Sequence, residues 1–192
     1  MSDERWRCFV AVGIGDGLRA DLRAAVAAWQ RREDLAALAW SPAGGWHLTL
    51  AFLGATEPAR VPGLLERLRD RAAAHGPMRL ATGGLGGFPS AARARVAWLG
   101  VADPDGALAA LAHDVRAALE LDASAPFRAH ITLARSRRVP VDLRGWLASA
   151  AAATPSGKIE VDRIVLVRSY LGGGPARHEP LGSVALGVPS LV

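Results

Sequence analysis

The sequence predicts a fold of mixed helices and strands arranged as two similar halves. A pattern of strand, helix and histidine-bearing strand occurs twice, ending at His47-Leu48-Thr49-Leu50 and, 83 residues later, at His130-Ile131-Thr132-Leu133. Both tetrapeptides alternate polar and apolar residues, as does a strand with one buried face. A chain of 192 residues, 51% of them hydrophobic, is long enough to bury a core, so we expect one domain with two lobes over 1–192.

The first half is expected to begin with a strand, because residues 8–14 form a β-type apolar run. Asp16 is positioned to cap a helix that follows. In order, the remaining elements are a helix over about 17–38, the histidine strand ending at Gly54, a helix over 57–75 and a strand over 78–88. Two glycine pairs interrupt that last strand, which predicts a bulge or a bend.

The second half repeats this order and then adds further elements. In order, they are a strand over 95–101, a turn at 103–106, a helix over 107–121, the second histidine strand, a helix over 141–152, a strand over 158–169, a glycine turn at 172–175 and a strand over 178–186. A pseudo-twofold arrangement would pair the two histidine strands across a central cleft, the usual place for a substrate between two lobes.

Composition argues against several classes of protein. The single cysteine, Cys8, cannot form an internal disulfide, and its β-type apolar surroundings predict a buried thiol that is not catalytic. No apolar stretch approaches the roughly 20 residues that span a bilayer, and the N-terminus lacks the pattern of a signal peptide. We therefore expect a cytoplasmic protein without membrane contact. The net charge is +5, and nearly all of the positively charged residues are arginines. This composition favours an anionic substrate.

The histidine strands carry the chemistry that the residues themselves predict. Residues two apart on a strand share a face, so each His shares its face with a Thr, and adjacent strands would present all four side chains to one groove. A neutral imidazole that takes a proton from water and a protonated one that delivers a proton to the leaving oxygen are the minimum for phosphoryl transfer without a metal. The threonine hydroxyls would donate hydrogen bonds to phosphoryl oxygens.

Longer segments around both tetrapeptides carry a resemblance to a known family. They are residues 46–54, residues 126–135, the opening run 7–12 and the closing strand over 161–171 with its glycine turn. Over nearly its whole length, the chain resembles the 2H phosphoesterase superfamily. Within that superfamily it is similar to the LigT-like bacterial and archaeal RNA 2′,3′-cyclic phosphodiesterases, historically called 2′-5′ RNA ligases.

The resemblance implies an α+β fold in which two pseudo-symmetric lobes, each an antiparallel sheet with helices on the outside, surround a central cleft. It implies metal-independent hydrolysis of the 2′,3′-cyclic phosphate at an RNA end to a 2′-phosphate and a free 3′-OH, without a cofactor. In some members the reverse reaction joins RNA ends through a 2′-5′ bond. The expected partners are RNA ends or small cyclic-phosphate nucleotides, and we expect a monomer.

The resemblance also carries over to individual residues of the tetrapeptides. His47 and His130 match the catalytic pair. The family suggests that His47 is the acid that expels the 3′ oxygen and that His130 is the base, although a near-symmetric site permits the reverse. Thr49 and Thr132 match positions that bind the phosphate.

Two further positions follow the tetrapeptides. Arg135 matches a family position that contacts phosphate or stacks on a base, so we count it as substrate-binding. Strict alternation would place Arg135 on the apolar face, so the strand must end, twist or bulge there. Phe52 occupies the equivalent place in the first copy, where substrate binding competes with core packing, and core packing is the favoured role.

Other interpretations stay open at this point. A metal hydrolase lacks support, because neither motif has the spacing or the carboxylates of a metal site. An RNA-binding module without turnover, or a phosphodiesterase acting on another cyclic or 2′-5′-linked nucleotide, would carry the same motifs. His75, His113 and His178 lack a threonine partner, and we expect them to be solvated or capping.

Overall fold

The computed structural model describes residues 4–172 and 174–187, which form an α+β fold. The strands are β1 (Trp6–Gly13), β2 (Leu38–Trp40), β3 (His47–Thr56), β4 (Met78–Phe88), β5 (Val96–Ala102), β6 (His130–Ser136), β7 (Lys158–Val161), β8 (Arg163–Gly172) and β9 (Gly174–Ala185). The α-helices are α1 (Asp16–Trp29), α2 (Val61–Ala72), α3 (Ala107–Ala118) and α4 (Arg144–Ala150). The glycine turn predicted at 172–175 includes Gly173, which lies outside the described residues.

The strands of this described part form one nine-stranded sheet in which the paired strands run antiparallel. The order is β7-β4-β5-β6-β3-β1-β8-β9, and β2 also pairs with β6. The two halves of the sheet meet between β3 and β6, where Leu48 pairs with Ile131. The predicted α+β class, with antiparallel strands in both halves, is confirmed, and one continuous sheet carries both histidine strands.

The core lies between the helices and one face of the sheet. The apolar stripe of α1 is buried and consists of Leu18, Leu22, Val26 and Trp29. In α2, Leu64 and Leu68 are buried as well. Burying one such aliphatic side chain contributes roughly 1.5–3 kcal/mol, so these stripes hold the helices against the sheet. Within the residues described, no helix combines the length and apolar character needed to cross a membrane.

The first helix is shorter than the sequence pattern predicted. It ends at Trp29, a short 3₁₀ helix follows at Glu33–Leu35, and β2 begins at Leu38. Strand pairing explains the difference, because β2 pairs with β6 and places the Trp40 ring 6.2 Å from the rings of both Trp29 and Trp146. Asp16 is the first residue of α1 and makes no capping hydrogen bond. Its charge nevertheless suits the positive end of the helix.

The strand predicted over 158–169 is two strands. β7 pairs with β4 and β8 pairs with β1, so the break at Asp162 carries the chain from the second half of the sheet to the first. The sequence alternates on each side of this break, but the buried positions shift from odd to even residue numbers across the polar pair Asp162-Arg163. Other boundaries also differ: the helices predicted over 57–75, 107–121 and 141–152 are the shorter α2, α3 and α4, and the last strand, predicted from 178, begins at Gly174.

Candidate active site

The two histidine strands are direct neighbours, with the centres of the two tetrapeptides paired. Extending this antiparallel register by one residue places His47 opposite Thr132. In the other direction, the same register places His130 opposite Thr49. Each histidine therefore faces the threonine of the other strand, and all four side chains share one short stretch of the sheet.

Both strands bulge directly after the threonine. The pairing of β6 with β5 skips Leu133, and the pairing of β3 with β1 skips Leu50. As a result, two successive residues of each strand are buried, and the next residue is exposed. The bulges turn those next residues, Phe52 and Arg135, away from the core. The expected break in alternation before Arg135 is confirmed.

Phe52 lies beside Phe9, whose ring stacks on His47, and Arg135 lies near both histidines. Phe52 is 59% exposed and its ring centroid lies 6.1 Å from that of Phe9, so the favoured role of core packing was wrong. Arg135 lies close enough for its positive charge to lower the pKa of both His47 and His130. An exposed ring and an exposed guanidinium beside two imidazoles suit a ligand with a base and a phosphate.

The same type of hydrogen bond orients each imidazole. The Nδ1–H of His47 donates to the carbonyl oxygen of Gly45 at 2.7 Å. The Nδ1–H of His130 donates to the carbonyl oxygen of Arg128, also at 2.7 Å. A carbonyl accepts only, so Nδ1 holds the proton in each neutral ring and Nε2 is left for chemistry. The hydroxyl of Thr49 lies 3.1 Å from Nε2 of His47, to which it donates.

Burial holds both imidazoles in the neutral form. It lowers the pKa of His47 to about 4, against the opposing effect of the Gly45 carbonyl, and the nearby His178, His130 and Arg135 lower it further. Burial likewise lowers the pKa of His130, again opposed by a backbone carbonyl and reinforced by Arg135. A negatively charged ligand would reverse these shifts, because an adjacent anion favours the protonated ring.

His178 is a third imidazole at this site, and it was not among the site residues predicted from the sequence. Its ring is perpendicular to that of His47 at a centroid distance of 5.3 Å, while the Phe9 ring stacks on His47 at 4.7 Å. The expectation that His178 is solvated or capping is wrong, because it is half-buried on β9, where it pairs with Ser169 of β8. Its sequence neighbours give no signal, since only the β8–β9 pairing brings it to His47.

Two aromatic residues border the second histidine, and they too were not predicted as site residues. The Phe88 ring lies 5.0 Å from the His130 ring in an edge-on arrangement, and the Trp98 ring lies 6.2 Å from it. Phe88 ends β4 and Trp98 lies on β5, so the register of three strands brings them together.

The remaining titratable candidates lie elsewhere. His75 was expected to be solvated or capping, but its Nε2 lies 2.9 Å from the carboxylate of Asp114 and links the end of α2 to α3. His113 is exposed, as predicted. Cys8 is buried, as predicted, and burial raises the pKa of its thiol. Among residues 4–172 and 174–187, no three His, Cys, Asp or Glu side chains are grouped as metal ligands.

Comparison with known sequences shows the family. The model of a family described as the 2′-5′ RNA ligase superfamily matches residues 18–173. An RNA 2′,3′-cyclic phosphodiesterase of Geobacillus stearothermophilus is 34% identical over 156 residues, which are 78% of this chain and 48% of that protein. One of Aquifex aeolicus is 28% identical over 137 residues, 69% of this chain and 73% of its own. The chain thus spans about half the length of the Geobacillus relative.

Solved structures show the same fold. The apo crystal structure of E. coli LigT is 26% identical, covers 96% of this chain and 99% of its own, and superposes with a TM-score of 0.71. LigT in complex with 3′-AMP gives a TM-score of 0.70 at 26% identity, with 95% and 99% of the two chains covered. The chain belongs to the 2′-5′ RNA ligase superfamily.

Proposed function

We propose that this protein hydrolyses the 2′,3′-cyclic phosphate at RNA ends to a 2′-phosphate and a 3′-OH. The proposal depends on one observation: His47 and His130 lie on adjacent strands. Each donates a hydrogen bond from Nδ1–H to a backbone carbonyl, so that Nε2 is available for proton transfer. The names of the curated relatives support the same reaction.

Two histidines are sufficient for this reaction. The neutral imidazole takes a proton from water as the water oxygen forms a bond to phosphorus. The P–O3′ bond breaks, and the protonated imidazole gives its proton to O3′, which leaves a 2′-phosphate and a 3′-hydroxyl. The protons balance over the cycle, because the base releases its proton to solvent and the acid regains one from solvent before the next turnover. General acid and base catalysis contribute roughly 10²–10⁴-fold each.

The substrate supplies the charge that this division of roles needs. At neutral pH, burial keeps both rings neutral, and a cyclic phosphate bound between them favours protonation of one. Burial lowers the pKa of both histidines, so two assignments stay open, with either His47 or His130 as the base. A substrate with a better leaving group separates the two assignments, because it restores activity only to the variant that lacks the acid.

Thr49, Thr132 and Arg135 hold the charge that develops on the phosphoryl oxygens. In this proposal, the threonine hydroxyls donate one hydrogen bond each, and the guanidinium of Arg135 adds positive charge. The contact between Thr49 and Nε2 of His47 would give way to a phosphoryl oxygen when the substrate binds. Reverse joining of RNA ends would use the same groups, with a 5′-OH in place of water, and the excess of water favours hydrolysis.

The test is hydrolysis of an RNA oligonucleotide that ends in a 2′,3′-cyclic phosphate, in the presence of EDTA. The matched variants are His47→Ala, His130→Ala and, as a control, His113→Ala, whose side chain is exposed elsewhere. We expect a 2′-phosphate product from the intact protein and the control, and loss of product in the other two. A folded protein that binds the oligonucleotide without hydrolysing it would refute the proposal and favour an RNA-binding module.

A further inference from the structure

A pocket of about 360 Å³ lies beside His130 in the second half of the sheet. Its walls come from β4, β5, the segment before β6 and the start of β6, and they include Gly84, Phe88, Trp98, Gly100, Ala102 and Arg128. None of these residues belongs to β3 or β1, so the pocket extends from the histidine pair toward the β4 side. Its volume falls in the range of small-molecule binding sites.

Glycines make room for the aromatic wall of this pocket. A Cβ atom at Gly86 would lie 2.2 Å from the Trp98 ring, and one at Gly100 would lie 3.2 Å from it. The indole therefore lies directly against glycine backbone, and Phe88 flanks it at a ring-centroid distance of 5.2 Å. This arrangement holds two half-buried rings at fixed positions beside His130.

The chemistry of the pocket fits a nucleotide. Aromatic side chains stack on any base, and such stacking contributes to the binding of single-stranded nucleic acid. Arg128 is exposed at the pocket, and a guanidinium there is suited to a phosphodiester. In the first half of the site, the exposed Phe52 ring lies beside the buried Phe9 ring, which stacks on His47. A cyclic mononucleotide has a single base, whereas aromatic side chains lie on both sides of the histidine pair. The site therefore offers a place for a second base.

We infer that the Trp98–Phe88 pocket binds the base of the nucleotide that precedes the cyclic end, with Arg128 on the phosphate that joins the two nucleotides. The inference rests on the proposed function and adds to it a preference for oligonucleotide ends over mononucleotides. The terminal nucleotide takes the surface beside His47, and its 5′ neighbour takes the pocket beside His130.

The experiment compares kcat/KM for a cyclic mononucleotide and a dinucleotide with the same 2′,3′-cyclic end. Gly84→Leu and Ala102→Leu fill the pocket from two sides, since both residues are exposed and a Cβ at Gly84 meets no atom within 4 Å. Gly145→Leu, at an equally open glycine outside the pocket, is the control. Thermal unfolding of each variant identifies any that fails to fold.

We expect the intact protein and the control to prefer the dinucleotide by roughly 5-fold to 100-fold, the contribution of one stacked base. In both pocket variants, the ratio of the two kcat/KM values should fall toward one. A ratio near one in the intact protein, or an unchanged ratio in both folded pocket variants, would overturn the inference. An equal loss on both substrates would also overturn it, because the pocket would then hold the terminal base. If neither substrate is hydrolysed by the intact protein, the proposed function itself fails.

Discussion

Acidification should destabilise this protein through His47. Its pKa is about 4 in the folded state, against an ordinary value of 6.5 that the unfolded chain retains. The folded state therefore disfavours the charged ring. The stability that depends on a neutral His47 is complete above pH 6.5 and is lost as the pH falls from 6.5 toward 4, because the unfolded chain binds the proton first.

The size of this effect follows from the two pKa values. Between about pH 7.5 and about pH 5, the contribution of His47 to the free energy of unfolding should fall by about 2 kcal/mol. His47→Gln removes the titrating group and retains an amide nitrogen near the position of the ring. The variant should therefore lose about 2 kcal/mol less than the intact protein over the same pH interval.

Urea denaturation of both proteins at the two pH values measures this difference. His113→Gln, at an exposed histidine, is the matched control and should behave as the intact protein does. Equal losses of stability in the intact protein and His47→Gln would refute the argument that burial holds His47 neutral. In that case, the role of substrate charge in the proposed mechanism would have no basis either.

Three further predictions concern activity and packing. The pH profile of kcat/KM should have its maximum below pH 6.5 and fall as the pH rises. The pKa values of His47 and His130 are both lowered, so the histidine that acts as the acid has lost its proton at neutral pH. A maximum above pH 8 would contradict this. Thr132→Val, read by steady-state kinetics, should lower kcat roughly 10²-fold through loss of a hydrogen bond to the transition state, and an unchanged kcat would remove Thr132 from the mechanism. Gly86→Ala should cost roughly 1–3 kcal/mol in chemical denaturation, because its Cβ would overlap the Trp98 ring, whereas Gly84→Ala, with open space, should cost much less; equal costs would contradict the packing.

The sequence was sufficient to predict the two histidine strands themselves and the face on which each His and Thr lies, because that information is local. Alternation and the repeated tetrapeptide define the polar face of each strand, and the apolar positions define the buried one. The expectation that the strand ends, twists or bulges at Arg135 followed from the same alternation. The structure adds that both copies bulge at the equivalent leucine, so one irregularity explains the exposure of both Arg135 and Phe52.

Residues that reach the site through long-range pairing could not be predicted. His178 comes to His47 only because β9 pairs with β8, and Trp98 comes to His130 only through the pairing of β5 with β6. The break at Asp162 was missed for a related reason, since both sides of it alternate as strands do. Which partner a strand pairs with depends on the whole sheet, and a periodic pattern contains no information on it.

The central claim is that His47 and His130 act together as one acid–base pair. The most direct measurement is the rate of cyclic phosphate hydrolysis by His47→Ala, His130→Ala and the double variant, with folding checked by circular dichroism. We expect each single variant to lose roughly 10²–10⁴-fold in hydrolysis rate and the double variant to lose little more. A pair that works as a unit fails when either member is removed. A single variant that keeps nearly full activity, or losses that multiply in the double variant, would contradict it.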